Sequence, residues 1–165
     1  MYKVVAGAGM DFSVFKNRIE ILDKKLGDTL RAQYCNKFVN VNAESYQEQI
    51  AFRHKFIDGY CYLGYLWDHI INPIIIAEED IAQKAADLSR IYVFWDIHSC
   101  ERILIKNYWK FDRDAVLKMN MATLLQGEGY LPEDIYIFDE SFTWTFIKTH
   151  EDIRGMRFCL KAGEI

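Results

Sequence analysis

The sequence predicts an α+β fold in a single domain, with helices at the front and a mainly antiparallel sheet behind them. Over residues 1–58, apolar residues recur at steps of three and four, as they do along helix faces. Over residues 59–165, apolar and aromatic residues alternate in short segments separated by turn residues, with two further helices among them. Strands joined by short turns run antiparallel. The 165 residues contain 51% hydrophobic residues and no linker-like tract, so we expect one core.

The front of the chain predicts a short strand and then a helix. Residues 1–10 are apolar and end in glycine-rich sequence, which indicates a strand followed by a turn. Asp11 is a favoured N-cap residue. The apolar positions of residues 12–26 repeat with helical spacing, and Gly27 is expected to end that helix.

Two more helical segments are expected before residue 58. Asp28 is placed to open a second helix. The apolar stripe of this helix consists of Leu30, Tyr34, Phe38 and Val41. Ser45 and Glu48 have the spacing of a capping box, which indicates that a third helix begins there.

The middle of the chain predicts strands around one short helix. The aromatic and apolar residues 60–70 indicate a strand, which Pro73 separates from the next segment. Three acidic residues then favour the first turn of a helix that ends near Ser89. Residues 91–97 and 103–107 are expected to form the two strands of a hairpin.

The last third predicts one helix and three strands. Asp112 is expected to cap a helix over residues 113–126. Strands are expected over residues 135–138 and 142–149, closed by a short acidic turn, and a final strand over residues 157–160. These segments complete the predicted antiparallel sheet.

Composition excludes several classes of function. The net charge is -4 and the sequence pI is about 5.6, without a cluster of Lys and Arg, which argues against direct binding of nucleic acid. No apolar run approaches the roughly 20 residues that cross a bilayer, so no membrane association is expected. The nucleotide, zinc-protease, serine-hydrolase and calcium-loop motifs are missing, and we expect no cofactor. The four cysteines lack metal-ligand spacing, which indicates buried free thiols and a cytoplasmic location.

The most distinctive segment is the acidic stretch from residue 127 to residue 152. Its seven acidic residues and one lysine give it a local charge of -6. Acidic groups on rigid strands beside aromatic rings can steer and anchor a basic partner. The sequence therefore predicts a protein-binding surface for a basic partner, such as a toxin of the nuclease type. The expected binding residues are Tyr136, Asp139, Glu140, Trp144, Glu151 and Asp152.

Two other functions stay open at this point. Asp96 and His98 are two residues apart, so a strand would direct both toward one face, where His150 can complete a metal-assisted hydrolytic site. The alternative is a structural or oligomerising module without a chemical site.

The acidic stretch resembles the closing signature of a small bacterial family of uncharacterised proteins. The similar segment covers residues 133–151 and ends in Lys148, Thr149, His150 and Glu151. Residues 64–67 and 92–99 resemble two further aromatic strands of that family, whose glycine-rich end is replaced here after Glu151. The resemblance implies one α+β domain of bacterial origin. Analogy with compact acidic bacterial proteins adds the expectation of an immunity or antitoxin role.

Overall fold

The computed structural model describes residues 10–100 and 108–165, which contain helices and strands in mixed order. The α-helices in this part of the chain are Phe12–Asn17 (α1), Lys24–Phe38 (α2), Glu44–Tyr46 (α3), Glu78–Ala85 (α4) and Met121–Gly127 (α5). The strands are Glu20–Ile21 (β1), His54–Phe56 (β2), Gly59–Cys61 (β3), Ile74–Ile76 (β4), Ile91–Trp95 (β5), Leu117–Met119 (β6), Ile135–Phe138 (β7), Trp144–Ile153 (β8) and Met156–Gly163 (β9). A π-helical turn occupies Gln47–Ala51, and 3₁₀ turns occupy Leu66–His69 and Glu128–Tyr130.

Seven of these strands form one antiparallel sheet in the order β1-β6-β5-β7-β8-β9-β4, and β2 and β3 form a separate hairpin. The predicted α+β class is therefore confirmed. In the centre of the sheet, Trp95 pairs with Ile135 and Ile135 pairs with Lys148. This register aligns the C-terminal end of β5 with the start of β7 and the middle of β8. These neighbouring positions form the edge at which polar side chains meet.

Helices cover both faces of the sheet, so its central strands are buried on each side. On one face, Tyr34 of α2 packs within ring-contact distance of Phe94, Tyr136 and Phe138. The opposite core combines side chains of α1, α4 and α5 with the other face of the sheet: Phe15, Ile81, Leu124, Val93, Trp95 and Ile137. Burial on both faces explains why β7 consists entirely of apolar and aromatic residues.

The front of the chain differs from the prediction at Gly27. This residue does not end a helix but lies inside α2, which begins after Asp23, whose carboxylate accepts a hydrogen bond from the Leu26 amide at 2.9 Å. A Cβ at residue 27 would stand 3.3 Å from the Val116 side chain, so glycine permits a close approach between α2 and the sheet. The predicted apolar stripe of the second helix is confirmed at Leu30, Tyr34 and Phe38, but Val41 lies beyond the end of α2 and Asp28 lies inside α2 instead of opening it.

The second half of the chain contains two further differences. Residues 60–70 include only the end of β3, and the 3₁₀ turn places Trp67 in the core without a strand. The predicted helix over residues 113–126 is wrong in its first half, because Leu117–Met119 forms β6. The helix that does form, α5, has Asn120 as its N-cap, and the Asn120 side chain accepts a hydrogen bond from the Thr123 amide at 2.7 Å. The predicted strands of the closing hairpin and the last strand are confirmed as β7, β8 and β9.

Two predicted strands lie outside the described residues, and the prediction for the cysteines needs a partial correction. The strand over residues 1–10 and the strand over residues 103–107 fall largely in undescribed parts of the chain. All four cysteines are free thiols, but Cys100 is exposed and Cys35 is half-buried, so only Cys61 and Cys159 match the expectation of buried thiols. Within the described ranges, no helix is long and apolar enough to cross a membrane.

Candidate functional site

Polar side chains from three neighbouring strands meet at one edge of the central sheet. Asp96 directly follows β5, Asp134 directly precedes β7, and His150 lies in β8. The pairing of Trp95 with Ile135 leaves Asp96 and Asp134 as the next opposed positions. These carboxylates are 1% and 6% exposed, so the site lies beneath the surface rather than on it.

Asp96 has one engaged and one free carboxylate oxygen. Its Oδ1 accepts hydrogen bonds from the Leu66 amide at 3.1 Å and from the Tyr136 hydroxyl at 2.9 Å. Its Oδ2 has no hydrogen-bond partner among the described residues. Burial raises the pKa of Asp96, His98 beside it opposes this shift, and the nearby charge of Asp134 acts in the same direction as burial. The free oxygen is therefore a costly group that a cation or a proton would stabilise.

His98 lies beside this free oxygen. Its Nε2 is 3.7 Å from Asp96 Oδ2, which is too long for a direct hydrogen bond. Both ring nitrogens are buried and have no hydrogen-bond partner in residues 10–100 and 108–165. The Tyr65 ring contacts the His98 ring edge-on, with 5.1 Å between their centroids. His98 is thus held by packing while its nitrogens stay available for a ligand.

Asp134 and His150 form a tight second pair. Asp134 Oδ1 accepts from the Trp67 indole at 3.0 Å and from the His150 backbone amide at 2.9 Å. His150 Nδ1 lies 2.9 Å from Oδ1 and 3.0 Å from Oδ2 of the same carboxylate. Because an ionised carboxylate only accepts, Nδ1 carries the proton in this contact and Nε2 is left as the basic nitrogen. The hydrogen bond that His150 Nδ1 donates to the Asp134 carboxylate raises the pKa of His150.

Three of these residues have the geometry of a metal site. Ligand atoms of Asp96, His98 and Asp134 all lie within 4.8 Å of one another, and all three residues are buried. One imidazole with two carboxylates is a donor set that suits zinc, manganese or ferrous iron. His150 lies next to these three residues, because it is hydrogen-bonded to Asp134. Its ring also contacts the Tyr65 ring, with 4.9 Å between their centroids.

The six residues expected to bind a basic partner are not brought together. Tyr136 and Trp144 are 0% and 3% exposed, so neither ring is available as a surface anchor. Asp139 and Glu140 lie at one end of β8, and Glu151 and Asp152 lie at the other. Ten residues of strand separate these ends by roughly 30 Å.

Two of those acidic residues also have local structural roles. Asp139 accepts hydrogen bonds from the backbone amide and the hydroxyl of Ser141, which closes the turn between β7 and β8. Asp152 Oδ1 accepts from the Gly155 amide at 2.7 Å in the next turn. Part of the acidity of this stretch therefore stabilises turns.

Glu128, another acidic residue of the same stretch, belongs to a partly buried ionic network. Lys148 is 2% exposed, and its Nζ lies 2.9 Å from Glu128 Oε2 and 3.2 Å from Glu78 Oε2. The Arg157 guanidinium contacts both carboxylates as well. This network joins α4 to the long strands β8 and β9, and it accounts for a lysine inside the core.

Comparison with known proteins identifies a family for nearly the whole chain. A domain of unknown function, DUF4275, matches residues 13–158. The chain belongs to the DUF4275 family. No curated protein and no solved structure matches it. Membership in DUF4275 agrees with the resemblance to an uncharacterised family, and the matched range contains every residue of the buried site.

Asp134 is the residue of the buried site that the sequence analysis did not identify. Asp96, His98 and His150 are recognisable by their spacing, whereas Asp134 stands out in the sequence only as part of the acidic stretch. A signal was present, because Asp134 directly precedes the strand of residues 135–138. The strand order that brings it opposite Asp96 is not readable from the sequence.

Proposed function

We propose that this DUF4275 domain binds a divalent transition-metal ion through Asp96, His98 and Asp134 and acts as a metal-assisted hydrolase. The observation that supports the proposal is the convergence of two buried carboxylates and one imidazole, in which Asp96 Oδ2 and both ring nitrogens of His98 have no hydrogen-bond partner among the described residues. Buried polar groups without partners are rare in folded proteins, and they concentrate at sites with a ligand or a chemical role.

A cation would offset the electrostatic cost of this arrangement. Two carboxylates beside each other in a buried site repel, and burial further disfavours their charged forms. The basic groups nearest to them in the described residues are His98 and His150, and no Lys or Arg forms an ion pair with Asp96 or Asp134. A divalent ion at this position would neutralise both carboxylates and take up the free nitrogen of His98.

Each residue would have a defined role. Asp96, His98 and Asp134 would hold the ion, which supplies a Lewis acid and lowers the pKa of bound water when present. Leu66 and Tyr136 orient Asp96 through its Oδ1, so that Oδ2 faces the site. Asp134 fixes the tautomer of His150 and leaves Nε2 to accept a proton from water and return it to a leaving group.

Metal binding is tested on purified protein by elemental analysis and by titration of zinc and manganese into chelator-treated protein. We expect about one ion per chain for wild-type protein, because three ligands define a single site. The variant His98→Ala should lose the ion. His54→Ala is the matched control, since His54 lies in β2 and bonds only the Glu48 carbonyl in the described contacts. Absence of saturable binding in wild-type protein, or equal binding in His98→Ala, would refute the metal site.

The hydrolytic role needs a separate measurement. Metal-loaded protein should hydrolyse an activated ester such as p-nitrophenyl acetate or p-nitrophenyl phosphate, and a chelator should abolish the reaction. His150→Ala should retain the ion but lose most of the rate, because general acid-base groups contribute roughly 10²–10⁴-fold. An intact rate in His150→Ala would exclude the proposed proton carrier. Ion binding with no turnover of any tested ester would leave a metal-binding domain and reject the hydrolase.

Binding of a basic protein partner by the acidic stretch stays a prediction. Its expected residues do not share one surface in this structure, so the geometry favours the buried site instead. Pull-down with a basic nuclease would show whether either acidic end of β8 is used.

A further inference from the structure

A second candidate site lies outside the metal-site cluster, beside α2. A surface cavity of about 680 Å³ lies between α2, the π-helical turn and the segment after β3. Its volume is in the range of small-molecule sites, roughly 300–1,000 Å³. The residues that give it its chemical character are Lys24, Arg31, Tyr46, Gln47, Arg53 and Tyr62. Three cationic side chains against two acidic ones, Asp28 and Asp114, give the cavity wall a net positive charge.

Arg31 is the most unusual of these residues. It is 9% exposed, and its Nη2 donates to the backbone carbonyls of Trp95, Arg113 and Ala115 at 3.2–3.3 Å. Its Nε and Nη1 are buried and donate to nothing among the described residues. The guanidinium stacks over Phe94, with 4.6 Å between Cζ and the ring centroid.

A buried guanidinium normally has a carboxylate partner, because isolated buried charge is costly. Within the described residues, no carboxylate lies within ion-pair distance of Arg31. The two acidic residues of the cavity wall, Asp28 and Asp114, both bind Lys24, at 2.9 and 3.0 Å. Among the described residues, Arg31 therefore has two nitrogens without an acceptor and no ion-pair partner.

Arg53 adds a second cation to the same cavity. Its Cζ lies 4.5 Å from the centroid of the Tyr62 ring, and it forms no ion pair in residues 10–100 and 108–165. Tyr62 is buried on the cavity wall, and burial raises the pKa of its hydroxyl, while the charges of Arg31 and Arg53 act in the opposite direction. Two guanidinium groups thus belong to this cavity, and neither forms an ion pair with a described residue.

We propose that this cavity binds a small organic oxyanion, a phosphate or carboxylate group attached to an aromatic or apolar body. The guanidinium of Arg31 would bind the oxyanion through Nε and Nη1 in the forked geometry that guanidinium groups favour. Both nitrogens are covered in this structure, so a lining side chain must rotate as the ligand enters. Arg53 would supply the second charge, and Tyr46 and Tyr62 would pack against the apolar part. This site does not depend on the proposed metal ion.

The test is isothermal titration of the full chain with phenyl phosphate, benzoate and the neutral analogue benzamide. Phenyl phosphate, benzoate or both should bind, and benzamide should not. Arg53→Gln should weaken binding about tenfold or more, the effect of one lost charge-assisted contact. Arg90→Gln is the matched control, because Arg90 is exposed and does not line the cavity. Arg31→Lys keeps the charge but removes the fork, and it should weaken binding as well.

The outcomes separate the ligand classes. Binding of phenyl phosphate alone assigns a phosphate site, binding of benzoate alone assigns a carboxylate site, and binding of both assigns a general oxyanion site. Failure of both anions to saturate at millimolar concentration, or equal affinity in Arg53→Gln, overturns the proposal. If Arg31→Lys fails to fold by circular dichroism, the Arg53→Gln result decides alone. Chelator-treated protein should bind equally well, which separates this result from that of the metal site.

Discussion

Glu128→Gln tests whether the ionic network between α4, β8 and β9 stabilises the fold. The substitution keeps the shape of the side chain and removes one negative charge beside Lys148 and Arg157. Losing one member of a buried ion pair costs about 3–5 kcal/mol when its partner is left alone. Lys148 is not left alone, since Glu78 Oε2 stays 3.2 Å from its Nζ.

The expected cost is therefore smaller than that of a fully broken pair. The glutamine also keeps one acceptor oxygen, so we expect the free energy of unfolding to fall by about 2 kcal/mol. The double variant Glu78→Gln/Glu128→Gln leaves Lys148 without an acid from this network, and its loss should reach about 3–5 kcal/mol. A loss in the double variant that exceeds the sum of the losses in Glu78→Gln and Glu128→Gln would report coupling between the two carboxylates.

Urea denaturation followed by circular dichroism measures these differences, provided that the slope of the transition does not change. Glu140→Gln is the control, because Glu140 is exposed in the turn after β7, and its replacement should change stability by less than about 0.5 kcal/mol. Equal stability of wild-type and Glu128→Gln protein would show that the network only compensates for burying Lys148. A stabilised double variant would refute the reasoning outright.

Three further predictions concern other parts of the fold. Hydrogen bonds from the Ser99 hydroxyl and from further donors lower the pKa of Asp58, and partial burial opposes this shift. The stability contributed by ionised Asp58 is thus fully present above about pH 4, the pKa of an aspartate in the unfolded chain, and is lost as pH falls. Asp58→Asn should therefore flatten the decline in thermal midpoint below about pH 4. Gly163→Ala should lower the free energy of unfolding in urea by more than about 1 kcal/mol, because φ is +71° and a Cβ would overlap the Thr143 carbonyl. Gly155→Ala should lower it by less, because its φ is also positive, at +80°, but a Cβ there would meet open space. Tyr136→Phe should lower stability by about 1 kcal/mol, because Asp96 Oδ1 would keep only the hydrogen bond from the Leu66 amide. A neutral result in urea would show that this bond is redundant.

The sequence was most informative where local pattern and burial agree. The segments of residues 135–138 and 142–149 alternate or run apolar between clear turn residues, and they form β7 and β8 close to the expected bounds. The helix that begins with Glu78 was also predictable, because its three leading acids favour a helix N-terminus. These features depend on neighbouring residues alone.

The errors arise where distant contacts decide the local structure. Gly27 ends no helix because its missing side chain admits Val116, a residue far away in sequence. Leu117 and Met119 fit a helical pattern, yet β5 and β1 offer strand partners on both sides. Tyr136 and Trp144 looked like surface anchors because a single strand does not show that both of its faces are covered. Strand order also decides the candidate site, since only the pairing of β5 with β7 places Asp134 opposite Asp96.

The two ends of the described sheet have a consequence for behaviour at high concentration. The outermost strands, β1 and β4, contain two and three residues, and Pro73 directly precedes the second of these. A strand of another molecule would find only a few backbone groups there, and proline removes one donor. Growth of fibres by stacking sheets edge to edge is therefore discouraged, even though Ile74 and Ile75 face solvent.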